Sequence, residues 1–341
     1  MASVFILVIK MKKWIALGLA ILAAVLLIFL PNQPKSQYFH NQGNIFGTYY
    51  NIRYESTEDL HEEIKAALQA VDHSLSMFNQ NSVISKINRN ENVVLDSLFI
   101  SMFLEAQSIS AISKGAFDIT VAPLVNAWGF GKSKEKSPQI SDIEIDSLKE
   151  FVGYEKIILQ EGQIAKQDPR TTLNASAIAK GFGCDVVANI LRANGCKNLL
   201  VEIGGEVVLR GVNDRGKPWH IGISKPKNDA SGVENDLQEV IASSNLCIAT
   251  SGNYLQYYYV DGQRRSHTID PRTGYPVEHS LLSATVTARS CMRADALATA
   301  CMVLGKNAAL EMIEEIPDAE CYLIVAQSDT LHIETSSNWQ K

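Results

Sequence analysis

The chain has 341 residues, of which 46% are hydrophobic and 20% charged, and its formal net charge is −6. This composition is that of a globular protein with enough chain for a sizeable core, and it excludes disordered, collagen-like and low-complexity classes. Residues 1–35 hold four lysines and no acid, whereas the rest holds 27 Lys and Arg against 37 Asp and Glu, a net charge of −10. Because non-specific nucleic-acid binding depends on basic surface, we expect no nucleic-acid partner for this acidic body.

Residues 14–30 form an apolar stretch that follows Lys10, Lys12 and Lys13 and ends at Pro31. A helix of this length is roughly 25 Å long, enough to cross a thin hydrocarbon core. The preceding lysines would keep the N-terminus in the cytoplasm and place the body on the periplasmic, extracytoplasmic side of the inner membrane. The sequence therefore predicts an anchor or signal segment with its linker over residues 1–37 and a folded domain over residues 38–341. The poor cleavage site after residue 30 favours an uncleaved anchor over a cleaved signal.

The first half of the body reads mainly as helices after a polar linker over residues 31–43. Residues 45–54 indicate a strand interrupted by Gly47, and residues 117–131 an ordered loop or broken helix. Residues 132–137 indicate an exposed charged loop. Apolar positions at helical spacing predict helices over residues 58–78, 97–114, 141–150 and 174–194.

The second half is rich in strands, and two glycine-bearing pairs, Gly204-Gly205 and Asp261-Gly262, indicate hairpin turns. Runs of strands without regular strand–helix alternation predict an α+β fold with mostly antiparallel sheets. The six cysteines show no C-x-x-C pair and sit in apolar runs, which is typical of small buried hydrophobic residues. The predicted strands are 198–210 as a pair, 219–224, 246–250, 254–260, 264–269, 281–288, 321–326 and 330–334, with helices over 294–304 and 307–315.

Asp295 and Thr299 lie four residues apart in a predicted helix, so their side chains share one face. A carboxylate and a hydroxyl are hard oxygen ligands, which suit Mg²⁺ better than a soft metal. The alternative is that Asp295 stabilises the start of the helix while Thr299 bonds to its own backbone.

The stretch of residues 173–181 combines small residues with a cation. Asn174 or Ser176 could cap a helix whose free N–H groups bind phosphate, and Lys180 would add a positive charge. Because the residues that lead into this helix are small, the backbone carbonyl of Ala177 could reach a metal. The alternative is an ordinary capped surface helix.

Two further stretches contain residues with imidazole or aromatic rings. His267 lies just before the turn signature of residues 270–274, where strand-end residues often face a cleft, although a hydrogen-bonded structural histidine is the commoner case. Trp128-Gly129-Phe130 holds two aromatic rings around a glycine, an arrangement suited either to stacking a ring system or to core packing. The chain lacks the P-loop, G-x-G-x-x-G, H-E-x-x-H and G-x-S-x-G patterns.

Together and in this order, these stretches resemble the ApbE family of FAD:protein FMN transferases. The resemblance implies a T-fold-like α+β flavin transferase domain over residues 38–341. It also implies Mg²⁺-dependent transfer of FMN from FAD to a Thr or Ser hydroxyl of an acceptor protein, with release of AMP. The motifs that carry it are Phe46-Gly47-Thr48, Phe117-Asp118-Ile119 to Gly131, Asn174 to Gly181, Glu202 to Gly205, Thr250-Ser251-Gly252, His267 to Gly274 and Asp295 to Thr299.

The resemblance also implies roles for individual residues. Asp295, Thr299 and the Ala177 carbonyl would bind Mg²⁺, and His267 is the candidate base for the incoming hydroxyl, a task that Asp295 could share. The chain departs from the family pattern at Phe46 for a Met, at Phe78 for a frequent Tyr, and at residues 174–176 for Asp-Leu-Gly. The residues expected to contact FAD are Phe46, Phe78, Trp128, Gly129, Phe130, Asn174, Lys180 and His267.

Two alternative functions use the same residues. The first is a Mg²⁺-dependent FAD pyrophosphatase, in which water replaces the acceptor hydroxyl and the products are FMN and AMP. The second is an anchored flavin-binding protein without turnover. For the transferase, the resemblance implies an acceptor among the subunits of membrane redox complexes.

Overall fold

The computed structural model describes Trp14, Gly18 and residues 35–131, 140–226, 237–253, 257–260, 263–327 and 330–339, with only the backbone of 257–260 and 263–265. The rest of the predicted membrane segment, the predicted loop over residues 132–137 and the turn at residues 261–262 lie outside these residues. No helix within the described part is long and apolar enough to cross a membrane. The chain divides into two units, Met1–Gln37 and Tyr38–Lys341, and the second contains the fold described below.

Two strands open the domain, a run of helices follows in the first half, and strands dominate the second half. In chain order they are β1 (Gln37–Ile45), β2 (Thr48–Ser56), α1 (His61–Leu75), α2 (Val83–Asn88), α3 (Ser97–Ile112), α4 (Ala122–Ala127), α5 (Asp142–Lys149), a 3-10 turn (Tyr154–Lys156), β3 (Ile157–Gln160), β4 (Gln163–Lys166), α6 (Ala179–Ala193), β5 (Leu199–Ile203), β6 (Glu206–Arg210), β7 (Trp219–Ser224), β8 (Leu237–Ser243), β9 (Asn245–Gly252), β10 (Tyr257–Val260), β11 (Gln263–Ser266), β12 (Leu281–Thr287), α7 (Cys291–Leu304), α8 (Lys306–Glu314), β13 (Glu320–Gln327) and β14 (Thr330–Thr335).

One eight-stranded sheet organises the molecule, with the strand order β1-β2-β5-β6-β9-β12-β13-β14. The pairings from β2 through β14 are antiparallel. The pairs β3–β4, β7–β8 and β10–β11 form three small antiparallel sheets. The predicted α+β class with mostly antiparallel sheet is confirmed.

Helices α6 and α7 pack against each other and against the middle strands of the sheet. The core on the α7 side includes Phe99, Met102 and Leu323, and the core beneath α6 includes Ile52 and Val201. All six cysteines are buried and unpaired, which confirms their prediction as small apolar residues. Both helices therefore lie against the middle of the sheet, next to the candidate site.

Several predicted boundaries were wrong. Residues 45–54 are not one strand: Phe46 and Gly47 have φ values of 52° and 75° and turn the chain between β1 and β2. Such left-handed pairs fit the twist of a tight hairpin, so β1 takes up residues 37–43 that were predicted to be linker. Helix α6 begins at Ala179 rather than at residue 174. The strands β3, β4 and β8 and the six-residue helix α2 were not predicted.

Candidate functional site

The candidate site is built where the first turn of α6 crosses α7. Asp295 is only 2% exposed, and its Oδ2 accepts a hydrogen bond of 3.0 Å from the backbone N–H of Gly181. A Cβ atom on Gly181 would lie 2.8 Å from the Asp295 Cβ and would also collide with the carbonyl of Cys291. Glycine at this position therefore allows the two helices to approach closely enough for the backbone to hold the carboxylate.

Helix α7 is held at its start by α6. The two carboxylate oxygens of Asp185 accept hydrogen bonds from the backbone N–H groups of Cys291 and Met292, at 3.0 and 2.8 Å. The Ser290 hydroxyl caps the same helix by accepting from Arg293 N. These caps explain why α7 begins at Cys291, three residues before the prediction, and sequence reasoning missed Asp185 because its partners are distant in the chain.

Lys180 lies between two buried carboxylates. Its Nζ is 3.0 Å from Oε1 of Glu206 and 3.7 Å from Oδ1 of Asp295. The lysine stem passes Gly204, where a Cβ atom would lie 3.3 Å from the lysine Cδ. Sequence reasoning missed Glu206, although the Gly204-Gly205 hairpin signal, which the structure confirms, places it at the first position of β6.

The charges of this cluster are strongly perturbed by burial. Burial, and then the neighbouring charge of Asp295, raise the pKa of Glu206 to about 8, and Lys180 only partly opposes this shift. Burial alone would lower the pKa of Lys180, but the carboxylates of Asp295 and Glu206 outweigh it and raise that pKa. Lys180 is therefore a stable cation. Oε2 of Glu206 is buried and has no hydrogen-bond partner among the described atoms.

A cavity of about 1030 Å³ opens beside this cluster. That volume is at the upper end of the range for small-molecule and cofactor sites. Its walls include the ends of α6 and α7, strands β2, β5 and β6, and strand β7. It brings together eight of the residues predicted for the site, namely Phe78, Phe130, Asn174, Ala177, Lys180, His267, Asp295 and Thr299.

The three predicted metal ligands, Ala177, Asp295 and Thr299, share this cavity wall. The Thr299 hydroxyl lies 3.3 Å from that of Ser251, which orients it on the next turn of α7 after Asp295. No group of three or more His, Cys, Asp or Glu side chains in the described residues could hold a metal. The expected ligands, one carboxylate, one hydroxyl and one carbonyl, are instead hard oxygens, and this donor chemistry fits Mg²⁺.

Phe46, Trp128 and Gly129 are not among the described residues that line the cavity. Trp128 is buried in a cluster with Leu124 and Ile145, and its indole N–H donates to the carbonyl of Gly274 at 2.8 Å. The Phe46 ring packs over α6, where a Cβ on Gly183 would come within 2.8 Å of it. Trp128 is a core residue and Phe46 packs, partly buried, against the core, and the flavin contacts expected of these three positions stay predictions.

Phe130 and His267 form the aromatic side of the cavity. Their rings meet edge to face with centroids 6.3 Å apart, so the phenyl ring orients the imidazole. Phe78 is 68% exposed at the cavity surface. This arrangement offers apolar ring surface next to a group that can accept a proton.

Asn174 does not cap α6, which corrects one prediction. The residue before the helix is Ile178, without a side-chain cap, and the Asn174 Oδ1 accepts instead from Ser176 N at 2.9 Å. Asn174 N also donates to the carbonyl of Ile119. These bonds fold residues 174–178 into an ordered turn before the helix, so Asn174 and Ala177 reach the cavity from a loop.

Asp118 is a further buried acid on the cavity wall. Its Oδ1 accepts two 2.7 Å hydrogen bonds from Thr120, one from the backbone N–H and one from the hydroxyl. Burial raises the pKa of Asp118 to about 6, against the hydrogen bonds from Thr120. The residue lies in one of the motifs singled out from the sequence, but no role was predicted for it.

Known proteins resemble this chain over most of its length. The ApbE family model matches residues 46–323. FAD:protein FMN transferases from Vibrio cholerae and Haemophilus influenzae are 37% and 35% identical, covering 89% and 97% of this chain and 91% and 98% of theirs. The flavin transferase ApbE structure from Vibrio cholerae aligns with a TM-score of 0.80 at 35% identity, over 89% of this chain and 98% of that one. An apo Pseudomonas stutzeri flavinyl transferase ApbE aligns with a TM-score of 0.80 at 29% identity, over 89% and 95%. The chain belongs to the ApbE family.

Proposed function

We propose that this chain is an FAD:protein FMN transferase that uses Mg²⁺ and moves FMN from FAD to a Thr or Ser hydroxyl of an acceptor protein. The hydroxyl oxygen forms a bond to the FMN phosphorus, the bond from that phosphorus to the AMP oxygen breaks, and AMP leaves. The observation that supports this proposal is the single cavity shared by Asp295, Thr299, Ala177, Lys180 and His267. Relatives named FAD:protein FMN transferase cover most of the chain and also support it.

Each cavity residue has a task in this reaction. His267 takes the proton of the incoming hydroxyl, and Phe130 fixes the ring that does so. The Lys180 ammonium attracts the dianionic pyrophosphate. Asp295, Thr299 and the Ala177 carbonyl would hold Mg²⁺, which when bound neutralises phosphate charge and favours displacement at phosphorus. Catalysis then depends chiefly on positioning the hydroxyl in line with the leaving AMP.

The direct test uses purified protein, FAD, Mg²⁺ and a Thr-bearing acceptor domain from the same cell envelope. We expect a fluorescent acceptor band on a denaturing gel, an intact mass increased by one FMN group, and loss of both with a chelator. FMN and AMP production that exceeds acceptor labelling would favour the pyrophosphatase. FAD binding without any product would favour the non-catalytic flavin-binding protein.

We further propose that residues 1–37 anchor the chain in the cytoplasmic membrane with its catalytic domain on the extracytoplasmic side. The apolar stretch and its preceding lysines support this placement. The acceptor would then be a membrane redox complex subunit facing the same compartment. A fusion of residues 1–37 to alkaline phosphatase should be active and sediment with membranes. Activity in the soluble periplasm would indicate a cleaved signal, and an inactive fusion would contradict the topology.

A further inference from the structure

Lys180 is shared unequally between its two carboxylates. The 3.0 Å distance to Oε1 of Glu206 is that of a hydrogen bond, whereas the 3.7 Å distance to Oδ1 of Asp295 is too long for one. The side chains of Glu206 and Asp295 are 3% and 2% exposed, so water does not screen either interaction well. Lys180 therefore donates its hydrogen bond to Glu206, although Asp295 is close enough for an ionic interaction.

Asp295 needs a cation because a buried carboxylate is unstable alone. Its Oδ2 accepts the Gly181 N–H, and its Oδ1 has Lys180 at the longer distance. A small movement of the ammonium would close this gap into a direct ion pair. Such a pair would occupy the carboxylate that a divalent cation requires, so Lys180 and a metal are competitors for Asp295.

Glu206 controls this competition because its carboxylate binds the Lys180 ammonium. It starts β6 directly after the Gly204-Gly205 turn, and the lysine stem packs against Gly204. The Glu206–Lys180 pair is incomplete, since Oε2 of Glu206 is buried without a hydrogen-bond partner among the described atoms. Above the Glu206 pKa of about 8, two carboxylates and one ammonium leave a net negative charge beside the cavity, which favours the arrival of a dication.

We infer that Glu206 is a positioning residue that holds Lys180 away from Asp295 and thereby keeps the Asp295 carboxylate available to Mg²⁺. The inference depends on the metal site of the proposed function. It assigns a role to a residue that is not among the expected metal ligands or the expected proton acceptor.

The test measures Mg²⁺ binding by isothermal titration calorimetry on the full chain without FAD, at pH 8.5, above the pKa of Glu206. The four proteins are wild type, Glu206→Gln, Lys180→Met and the double variant. We expect Glu206→Gln to weaken Mg²⁺ binding about tenfold, because Lys180 then pairs with Asp295. In the Lys180→Met background the same substitution should weaken binding by less than about threefold, since no competitor remains.

An equal loss in both backgrounds would overturn the inference, because it would show only that a negative charge was removed. An unchanged affinity in Glu206→Gln would overturn it as well. Glu202→Gln is the matched control: that carboxylate lies on the same cavity wall but is bound by Tyr49 and Asn51. Its loss of affinity should be smaller than that of Glu206→Gln, and an equal loss would contradict the inference.

Circular dichroism checks that each variant is folded. If Glu206→Gln does not fold, Glu206→Met replaces the buried carboxylate by an apolar side chain of similar length for the same comparison. An Asp295→Asn variant that binds Mg²⁺ as tightly as wild type would overturn the metal site itself. Acceptor labelling by the wild-type protein tests the transferase function separately, so the two failures can be distinguished.

Discussion

The backbone N–H of Gly181 donates to Oδ2 of Asp295 over 3.0 Å, which ties the first turn of α6 to the second turn of α7. Lys180 precedes Gly181 in the chain, so the same contact fixes the lysine beside the carboxylate. Helix packing thus sets where the Asp295 carboxylate and the Lys180 backbone lie, and the contact with Glu206 sets where the ammonium lies between the two carboxylates. A change in that packing should alter metal binding and stability together.

Gly181→Ala tests this coupling. The new Cβ would meet the Cys291 carbonyl and the Asp295 Cβ, atoms of a helix that is packed on both sides and cannot retreat easily. We expect a loss of about 1–3 kcal/mol in the free energy of unfolding, measured by urea denaturation, as is typical of an overpacked core. Mg²⁺ affinity should fall as well, because the backbone bond to Asp295 lengthens.

Gly195→Ala is the control for this variant. Gly195 has a φ of 83° with nothing within 4 Å of an added Cβ, so alanine there introduces backbone strain without a collision. We expect a cost of about 1–2 kcal/mol and normal Mg²⁺ binding. Equal effects of the two substitutions on Mg²⁺ binding would mean that the helix crossing does not control the site.

Signals local in sequence predicted much of the fold correctly. The Gly204-Gly205 pair lies between β5 and β6 as expected, and α3 begins at Ser97, as the apolar spacing predicted, with Asp96 as its cap. The predicted start of α6 failed because Asn174 uses its side chain for a turn two residues on, a local alternative that the capping pattern does not distinguish. Strand β1 was missed because its polar residues are held by pairing along the edge of the sheet.

The site was predicted less completely than the fold, for a physical reason. Thr299 and Asp295 are four residues apart and could be read from one helix. Glu206 and Asp185 contact residues of other elements, and a single sequence does not show which residues from different elements are in contact. For Trp128 the local sequence was ambiguous. An aromatic ring between the small residues Ala127 and Gly129 suits either a stacking surface or a core. Its burial with Leu124 and Ile145 and its bond to the Gly274 carbonyl identify its place in the core.

Asp295→Asn should abolish most of the transfer activity while leaving the fold intact. The asparagine oxygen can still accept the Gly181 N–H, but the neutral amide is a poor Mg²⁺ ligand. We expect the rate of acceptor labelling at saturating FAD to fall about 100-fold or more, and its dependence on Mg²⁺ concentration to shift upwards. Glu62→Gln, which removes a carboxylate from the exposed face of α1, should change neither. Near-normal labelling by Asp295→Asn would show that the metal assignment is wrong.

Asp118 should make stability depend on pH. Burial raises the pKa of its carboxyl from 3.8 to about 6 in the folded protein, so between these values the folded state binds more protons than the unfolded state. The free energy of unfolding contributed by this group therefore falls as pH rises from about 4 to about 6. The full change is at most about 3 kcal/mol.

Asp118→Asn isolates this contribution, because the amide does not titrate. Urea denaturation of both proteins should show the wild type losing stability relative to the variant as pH rises from 4 to 6, and a constant difference above pH 7. The offset at low pH reports the difference between a buried amide and a buried protonated carboxyl, since the asparagine oxygen can still accept from Thr120. A difference that does not vary across this range would mean that Asp118 titrates normally.

Trp128→Phe separates core packing from flavin stacking. The substitution leaves the buried Gly274 carbonyl without its donor and opens a small space beside Leu124, so we expect a loss of about 2–3 kcal/mol in the free energy of unfolding. The Kd for FAD, measured by quenching of flavin fluorescence, should change by less than about threefold. Phe130→Leu, at a ring that lines the cavity, should raise that Kd about tenfold with a smaller loss of stability. The opposite pattern, with FAD binding lost at Trp128 and retained at Phe130, would place the flavin ring against the tryptophan.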